Sequence, residues 1–193
     1  MTVVRVDRAK AALVVVDMQT RLAPAIAGID AVTRCNDALI RAASRLSVPV
    51  AFTEQNPEGL GRTDPALRGL TSTADLFEKM SFDACRDAPL VAWAAGHRRS
   101  QIVVTGTEAH VCVLQTAFGL MDAGFQLVLP TDAVGSRSPE DRRAAIARLQ
   151  TAGALCVTTE MVLFEWLERA GTDDFRALLP VIRALQPDAG RPG

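Results

Sequence analysis

Gln101-Ile102-Val103-Val104-Thr105-Gly106-Thr107-Glu108-Ala109-His110-Val111-Cys112-Val113-Leu114-Gln115-Thr116-Ala117 is the stretch from which the rest of the chain can be read. Its first five residues form an apolar, β-branched segment centred on Ile102, Val103 and Val104, the pattern of a strand buried on both faces in a parallel sheet. Val113, Thr116, Ala117, Leu120 and Met121 then recur at helical spacing. Cys112 therefore falls where a strand hands over to a helix. At a helix start the first N–H groups lack partners and the dipole favours negative charge. A thiol there is expected to lose its proton more easily, and the thiolate is the nucleophile. The competing reading is a small apolar core residue.

The 193 residues are 49% hydrophobic, which suits one domain with a sizeable core. The formal net charge is -1, from 21 basic and 22 acidic residues, and no basic-aromatic block occurs. Nucleic acid is not an expected partner. No signal-peptide pattern and no bilayer-length apolar run occur, so a cytoplasmic protein without a membrane partner is expected. Cys35, Cys85, Cys112 and Cys156 form no CxxC pair and suit free thiols rather than zinc ligands or a disulfide framework. Of the two histidines, His97 reads as a solvated helix-end residue. His110 is two residues from Cys112 and is a base only if the turn brings them together.

Taken in order, Ala11 to Val16 reads as the first strand, with Asp17 just beyond its end. That carboxylate either faces a ligand crevice or caps the next segment. A helix is predicted over Ala31 to Leu46, with Cys35 on its apolar face. Pro49 to Thr53 is the second strand, and the Pro/Gly-rich Glu54 to Arg62 opens a loop. A short strand ends near Lys79, a residue either solvated or functional, with Phe82 expected beside it. Pro89 to Gly96 reads as a helix. After the Cys112 helix, which Gly124 ends, Phe125 to Leu129 is a strand. A helix from Ser138 to about Gln150 and a strand over Ala154 to Val157 follow. Helices over Thr159 to Arg169 and Thr172 to Leu185 close the chain. The apolar Phe164, Trp166 and Leu167 suit either the core or a subunit contact.

Alternating strands and helices predict a three-layer α/β/α sandwich around a six-stranded, mostly parallel sheet. One domain is expected over 1–186, with a loose tail at 187–193. Sites in such sheets lie at the carboxyl ends of the strands, near the point where strand order reverses. Asp17, Lys79 and Cys112 all follow strands and can converge there. Gly59 and Gly61 form no GxGxxG, so a dinucleotide site is not expected and no cofactor is predicted.

Val14-Val15-Val16-Asp17-Met18-Gln19, Glu78-Lys79-Met80-Ser81-Phe82 and Gly106-Thr107-Glu108-Ala109-His110-Val111-Cys112-Val113 resemble the three signatures of isochorismatase-like cysteine hydrolases, in order and spacing. The similarity runs from about Ala11 to Leu185 and is greatest to the isochorismatase domain-containing proteins. Phe52-Thr53-Glu54-Gln55, Gly59-Leu60-Gly61, and Asp132-Ala133 through Ser136-Arg137-Ser138 also suit that subgroup. The resemblance implies a catalytic triad of Asp17, Lys79 and Cys112. It implies a cis peptide between Thr107 and Glu108, and an oxyanion hole made by the N–H groups of Glu108 and Cys112. Gln19, Glu54, Phe82 and His110 are placed as pocket lining. A homo-oligomer acting on a small molecule is expected.

Two departures shape the functional expectation. The zinc-binding nicotinamidases of the superfamily carry Asp-x-His after the second strand, where this chain has Glu54-Gln55-Asn56, so no metal is expected. True isochorismatases lack the nucleophilic cysteine that Cys112 supplies. Asp83 also stands where related proteins commonly have Ser. The leading expectation is a metal-independent cysteine hydrolase of an amide-type C–N bond. The alternative is a catalytically silent binding or scaffolding member of the same fold. A thiol redox sensor pairing Cys112 with Cys85 is a third reading.

Overall fold

The computed structural model describes residues 4–186, so the expected tail at 187–193 lies outside it. Among the described residues seven strands occur: β1 (Ala11–Val16), β2 (Val50–Gln55), β3 (Asp75–Lys79), β4 (Gln101–Thr107), β5 (Gln126–Pro130), β6 (Val134–Gly135) and β7 (Leu155–Val157). Between and after them run α1 (Ile29–Arg45), α2 (Pro57–Leu60), α3 (Pro65–Arg68), α4 (Ala84–Asp87), α5 (Leu90–Gly96), α6 (Leu114–Asp122), α7 (Pro139–Thr151), α8 (Thr159–Leu167) and α9 (Asp173–Leu185). The sheet order is β3-β2-β1-β4-β5-β7, and β6 pairs with the end of β4. Every pairing between these strands is parallel. The expected six strands are thus all present; the two-residue β6 is an addition too short to show in the apolar pattern.

β1 is Ala-Ala-Leu-Val-Val-Val and is buried along its whole length. Alternation sends its side chains to two separate cores. Leu13 and Val15 join Phe52, Val103 and residues of α1, α8 and α9 on one face. Ala12, Val14 and Val16 join Ala51, Ile102, Val104 and residues of α5, α6 and α7 on the other. Each such Val or Leu contributes roughly 1.5–3 kcal/mol by its burial. This is the three-layer arrangement the alternation predicts. Trp166 is wholly buried in the first core, whereas Phe164 and Met161 of the same helix are exposed.

The helices start where local chemistry permits. Ser138 caps α7 by accepting from the Glu140 N–H at 3.1 Å, and Pro139 occupies the first turn. α1 begins two residues before the expected Ala31, after Gly28 in a left-handed conformation. The Pro/Gly-rich excursion after β2 forms the short helices α2 and α3 rather than open loop. Among the described residues no helix is long and apolar enough to cross a membrane.

Strand order reverses at β1, whose neighbours β2 and β4 lead away in opposite directions. There the chain needs a glycine. Gly106 pairs in register with Val16 and has a φ of 108°. A Cβ at Gly106 would sit 2.0 Å from the Val16 carbonyl oxygen. The close approach carries on one residue further: the Thr107 hydroxyl donates to the Asp17 carbonyl at 2.8 Å.

Candidate active site

Asp17 leaves β1 with a φ of 49°, a left-handed conformation that Asp adopts more readily than most residues. The turn directs its carboxylate over the sheet's carboxyl edge. Lys79 is the last residue of β3, paired in register with Gln55. Its ammonium lies 2.8 Å from Asp17 Oδ2, and neither side chain has any solvent exposure. A buried ion pair is worth having only when its remaining hydrogen-bonding groups are satisfied. Here they are. The Thr53 hydroxyl donates to Asp17 Oδ1 at 2.6 Å, and Lys79 donates to Gln55 Oε1 at 2.9 Å.

Cys112 lies against this pair. The charges of both Asp17 and Lys79 act on its thiol. Burial is the largest influence and pushes the thiol up, to about 12. The Asp17 carboxylate raises it further and the Lys79 ammonium opposes the rise. This corrects the expectation that the helix start would lower it. Desolvation and the neighbouring carboxylate both favour the protonated thiol. The local geometry differs too. Cys112 sits in a π-helical turn, Ala109–Val113, inserted between β4 and α6. Such one-turn bulges widen the helix and often occur at functional sites. The peptide between Thr107 and Glu108 is cis.

The four residues expected as pocket lining fare differently. Gln19 is buried and acts as a clasp. Its Nε2 donates to the carbonyls of Gln55 and Gly61 at 3.0 and 2.6 Å, and its Oε1 accepts from the Gln55 N–H at 2.8 Å. Glu54 is also buried, its carboxylate taken by the Thr63 N–H at 2.6 Å, the Thr63 hydroxyl at 2.8 Å and Arg62 at 3.0 Å. Both residues fix the loop after β2 rather than present free groups to a ligand. His110 turns away from Cys112. Its Nδ1 meets the Ser136 hydroxyl at 3.0 Å, and its Nε2 faces Asp141 at 3.7 Å. A His110 base is therefore not supported. Phe82, expected beside Lys79, is 52% exposed. Its backbone is held where the side chain is not: the Thr116 hydroxyl donates to the Phe82 carbonyl at 3.4 Å and accepts from the Ala84 N–H at 3.1 Å.

Asp83 caps α4, accepting from the Cys85 N–H at 2.8 Å. Cys85 is also pushed up to about 12, by burial first and Asp83 second. Cys35 is pushed to about 11, by burial first and then Asp132. Glu108 is paired with Arg137. Two members of the network, Thr53 and Gln55, were not singled out from sequence. Their signal was a run of polar residues closing a buried strand, Thr53-Glu54-Gln55, with 53 and 55 on one face. Among the described residues no cluster of three His, Cys, Asp or Glu side chains could hold a metal ion.

Residues 11–161 match the model of the isochorismatase domain. The chain belongs to the isochorismatase family. Isochorismatase family protein 1B of Dictyostelium discoideum is 32% identical over 181 residues, covering 92% of this chain and 88% of that protein. Among solved structures, the MAR1 ribonuclease of Caenorhabditis elegans is 32% identical with a TM-score of 0.89, covering 97% of this chain and 96% of that one. YcaC from Pseudomonas aeruginosa, solved with hexane-2,5-diol and covalent acrylamide, is 25% identical with a TM-score of 0.88, each chain covered to 96%. The fold of these isochorismatase-like neighbours is the one described above, and membership of the family points to hydrolase activity.

Proposed function

We propose that the protein is a metal-independent cysteine hydrolase of a small-molecule C–N bond, with Asp17, Lys79 and Cys112 as its catalytic residues. The observation that carries this reading is the buried Asp17–Lys79 pair at the sheet's carboxyl edge, whose two charges both act on the buried Cys112 thiol. The thiol gives its proton to Asp17 as the sulfur forms a bond to the carbonyl carbon. Lys79 stabilises the sulfur's negative charge as it develops. The N–H groups of Glu108 and Cys112 receive the carbonyl oxygen, an interaction worth about 3 kcal/mol per donor in comparable sites. Asp17 then returns the proton to the leaving nitrogen, leaving a thioester. Water attacks the thioester with Asp17 as base, and the carboxylic acid departs.

Covalent acrylamide on the Pseudomonas relative is in keeping with a soft nucleophile in this fold. Metal independence is supported by Glu54, whose oxygens are occupied by Thr63 and Arg62. A homo-oligomer is supported by apolar side chains left exposed, Met161 and Phe164 on α8 and Met80 and Phe82 beside the site. Light scattering tests that point.

The experiment on function is alkylation of the intact chain by iodoacetamide across pH, with peptide mass spectrometry, alongside hydrolysis assays on small amides and on RNA as a control. Cys112 should react at neutral pH far faster than Cys35 or Cys156, despite its raised thiol pKa, and Asp17→Asn should abolish the advantage. A Cys112 no faster than the other two, in a chain inert toward amides, would establish the silent binding member instead. RNA cleavage surviving in Cys112→Ala would also sink the proposal.

A further inference from the structure

Lys79 carries three N–H donors and no acceptor. One reaches Asp17 Oδ2 at 2.8 Å and a second reaches Gln55 Oε1 at 2.9 Å. One N–H remains beyond these two, and the Lys79 charge also acts on the Cys112 thiol. How the ammonium is shared among these three partners depends on where Gln55 holds it.

Gln55 is itself held on every side. Its Nε2 donates to the Met80 carbonyl at 2.8 Å. That bond fixes which end of the amide faces Lys79, because a reversed amide would set an NH2 group against an ammonium. Its backbone is clasped from both sides by the Gln19 side chain, at 2.8 and 3.0 Å. The same Gln19 Nε2 reaches the Gly61 carbonyl at 2.6 Å. The Asn56 N–H donates to the Lys79 carbonyl at 3.0 Å, tying the two strand ends together. The loop after β2, the clasp and the ammonium are thus one connected hydrogen-bonded unit.

We propose that Gln55 is a positioning residue, which takes one N–H of Lys79 so that the remaining two meet Asp17 and the Cys112 sulfur at once, and which links the seating of the 56–61 loop to that geometry. The proposal rests on the hydrolase reading above. Gln55 neither gains nor loses a proton in the reaction. Without its acceptor, a fully buried ammonium has an unpaired donor. It then turns both free N–H groups to the Asp17 carboxylate, and the sulfur loses its stabilising contact.

The charges acting on Cys112 are Asp17, at the end of β1, and Lys79, at the end of β3. On its own turn, Glu108 is paired with Arg137, and His110 faces Ser136 and, from α7, Asp141. Asp83, the cap of α4, faces Gly119 of α6. A change in Cys112 reactivity on altering Gln55 therefore reads out through Lys79.

The test is a double-mutant cycle on the full chain: Gln55→Met, Lys79→Met and both together, each treated with iodoacetamide between pH 6 and 10. Gln55→Met keeps the side chain's length and removes the amide. It should slow Cys112 alkylation at neutral pH about tenfold. It should slow it no further in the Lys79→Met background. Equal slowing in both backgrounds would show local packing alone and overturn the proposal, as would a wild-type rate in Gln55→Met. If Lys79→Met does not fold, Lys79→Arg takes its place in the cycle, since it alters the shared ammonium while keeping the charge. Gln55→Leu replaces Gln55→Met should that variant not fold. A wild-type Cys112 no faster than Cys35 or Cys156 defeats the hydrolase reading and this proposal with it. A fast wild-type Cys112 with an indifferent Gln55→Met defeats this proposal alone.

Discussion

The Lys79 ammonium and the Asp17 carboxylate form an ion pair at 2.8 Å, both side chains without solvent exposure. Asp17 follows the central strand β1 and Lys79 ends the edge strand β3, with β2 between them.

Breaking that pair should be costly. Lys79→Ala leaves the Asp17 carboxylate and the Gln55 carbonyl without the ammonium that both now contact. A loss of about 3–5 kcal/mol is expected, the range for removing one partner of a buried pair. Urea unfolding of the two chains measures it through the shift in midpoint. A change near zero would mean that the pair is solvated in solution.

The thiols set a stability trend at alkaline pH. Cys35, Cys85 and Cys112 all titrate higher in the fold than their ordinary value, at about 11, 12 and 12, chiefly because they are buried. Above an unfolded thiol pKa of about 8.5, the unfolded chain releases protons that the folded chain keeps. Stability from these groups is therefore complete below that pH. It declines as pH rises toward the folded values. Urea midpoints under reducing conditions at pH 8, 9.5 and 10.5 should fall, and Cys112→Ala should shallow the fall. An unchanged slope in Cys112→Ala would place its thiol in water.

Gly106 should tolerate nothing larger. Gly106→Ala sets a Cβ 2.0 Å from the Val16 carbonyl oxygen, at a φ of 108° that L residues rarely adopt. Both strand ends must separate to admit it. A loss of at least about 3 kcal/mol is expected, from overpacking and backbone strain together. Thermal melts compare the two proteins, and an equally stable variant would show that β1 and β4 part easily here.

Glu54 should govern the loop after β2 rather than the chemistry. Its carboxylate gathers the Thr63 N–H, the Thr63 hydroxyl and Arg62, which also pairs with Glu78. Glu54→Ala should raise amide hydrogen exchange at residues 56–63 well before it affects the core strands. Exchange rising equally throughout the sheet would assign Glu54 to global stability instead.

Much of this protein is written in local pattern. Apolar runs such as Ala11 to Val16 identify buried strands because both faces of a parallel sheet need apolar side chains. Ser138-Pro139 marks a helix start because cap chemistry is local. Alternation of such segments then leaves few topologies, and the observed sheet is among them. The strand-end positions of Asp17, Lys79 and Cys112 follow from the same pattern.

What the sequence could not determine is what each polar group finds across the fold. Glu54 and Gln19 read as pocket walls until the loop after β2 folds back and consumes their hydrogen bonds. His110 is two residues from Cys112, yet the turn sends it to Ser136 and Asp141. Thr53 and Gln55 gain significance only because parallel register sets them beside Asp17 and Lys79. The thiol departs from the local expectation for the same reason: the helix start is visible locally, whereas desolvation and the Asp17 charge come from distant segments. Local sequence determines backbone preference and which faces must be buried, since those depend on near neighbours. Tertiary structure decides hydrogen-bond partners, burial of charge and proton affinity, since these depend on groups brought close only by folding.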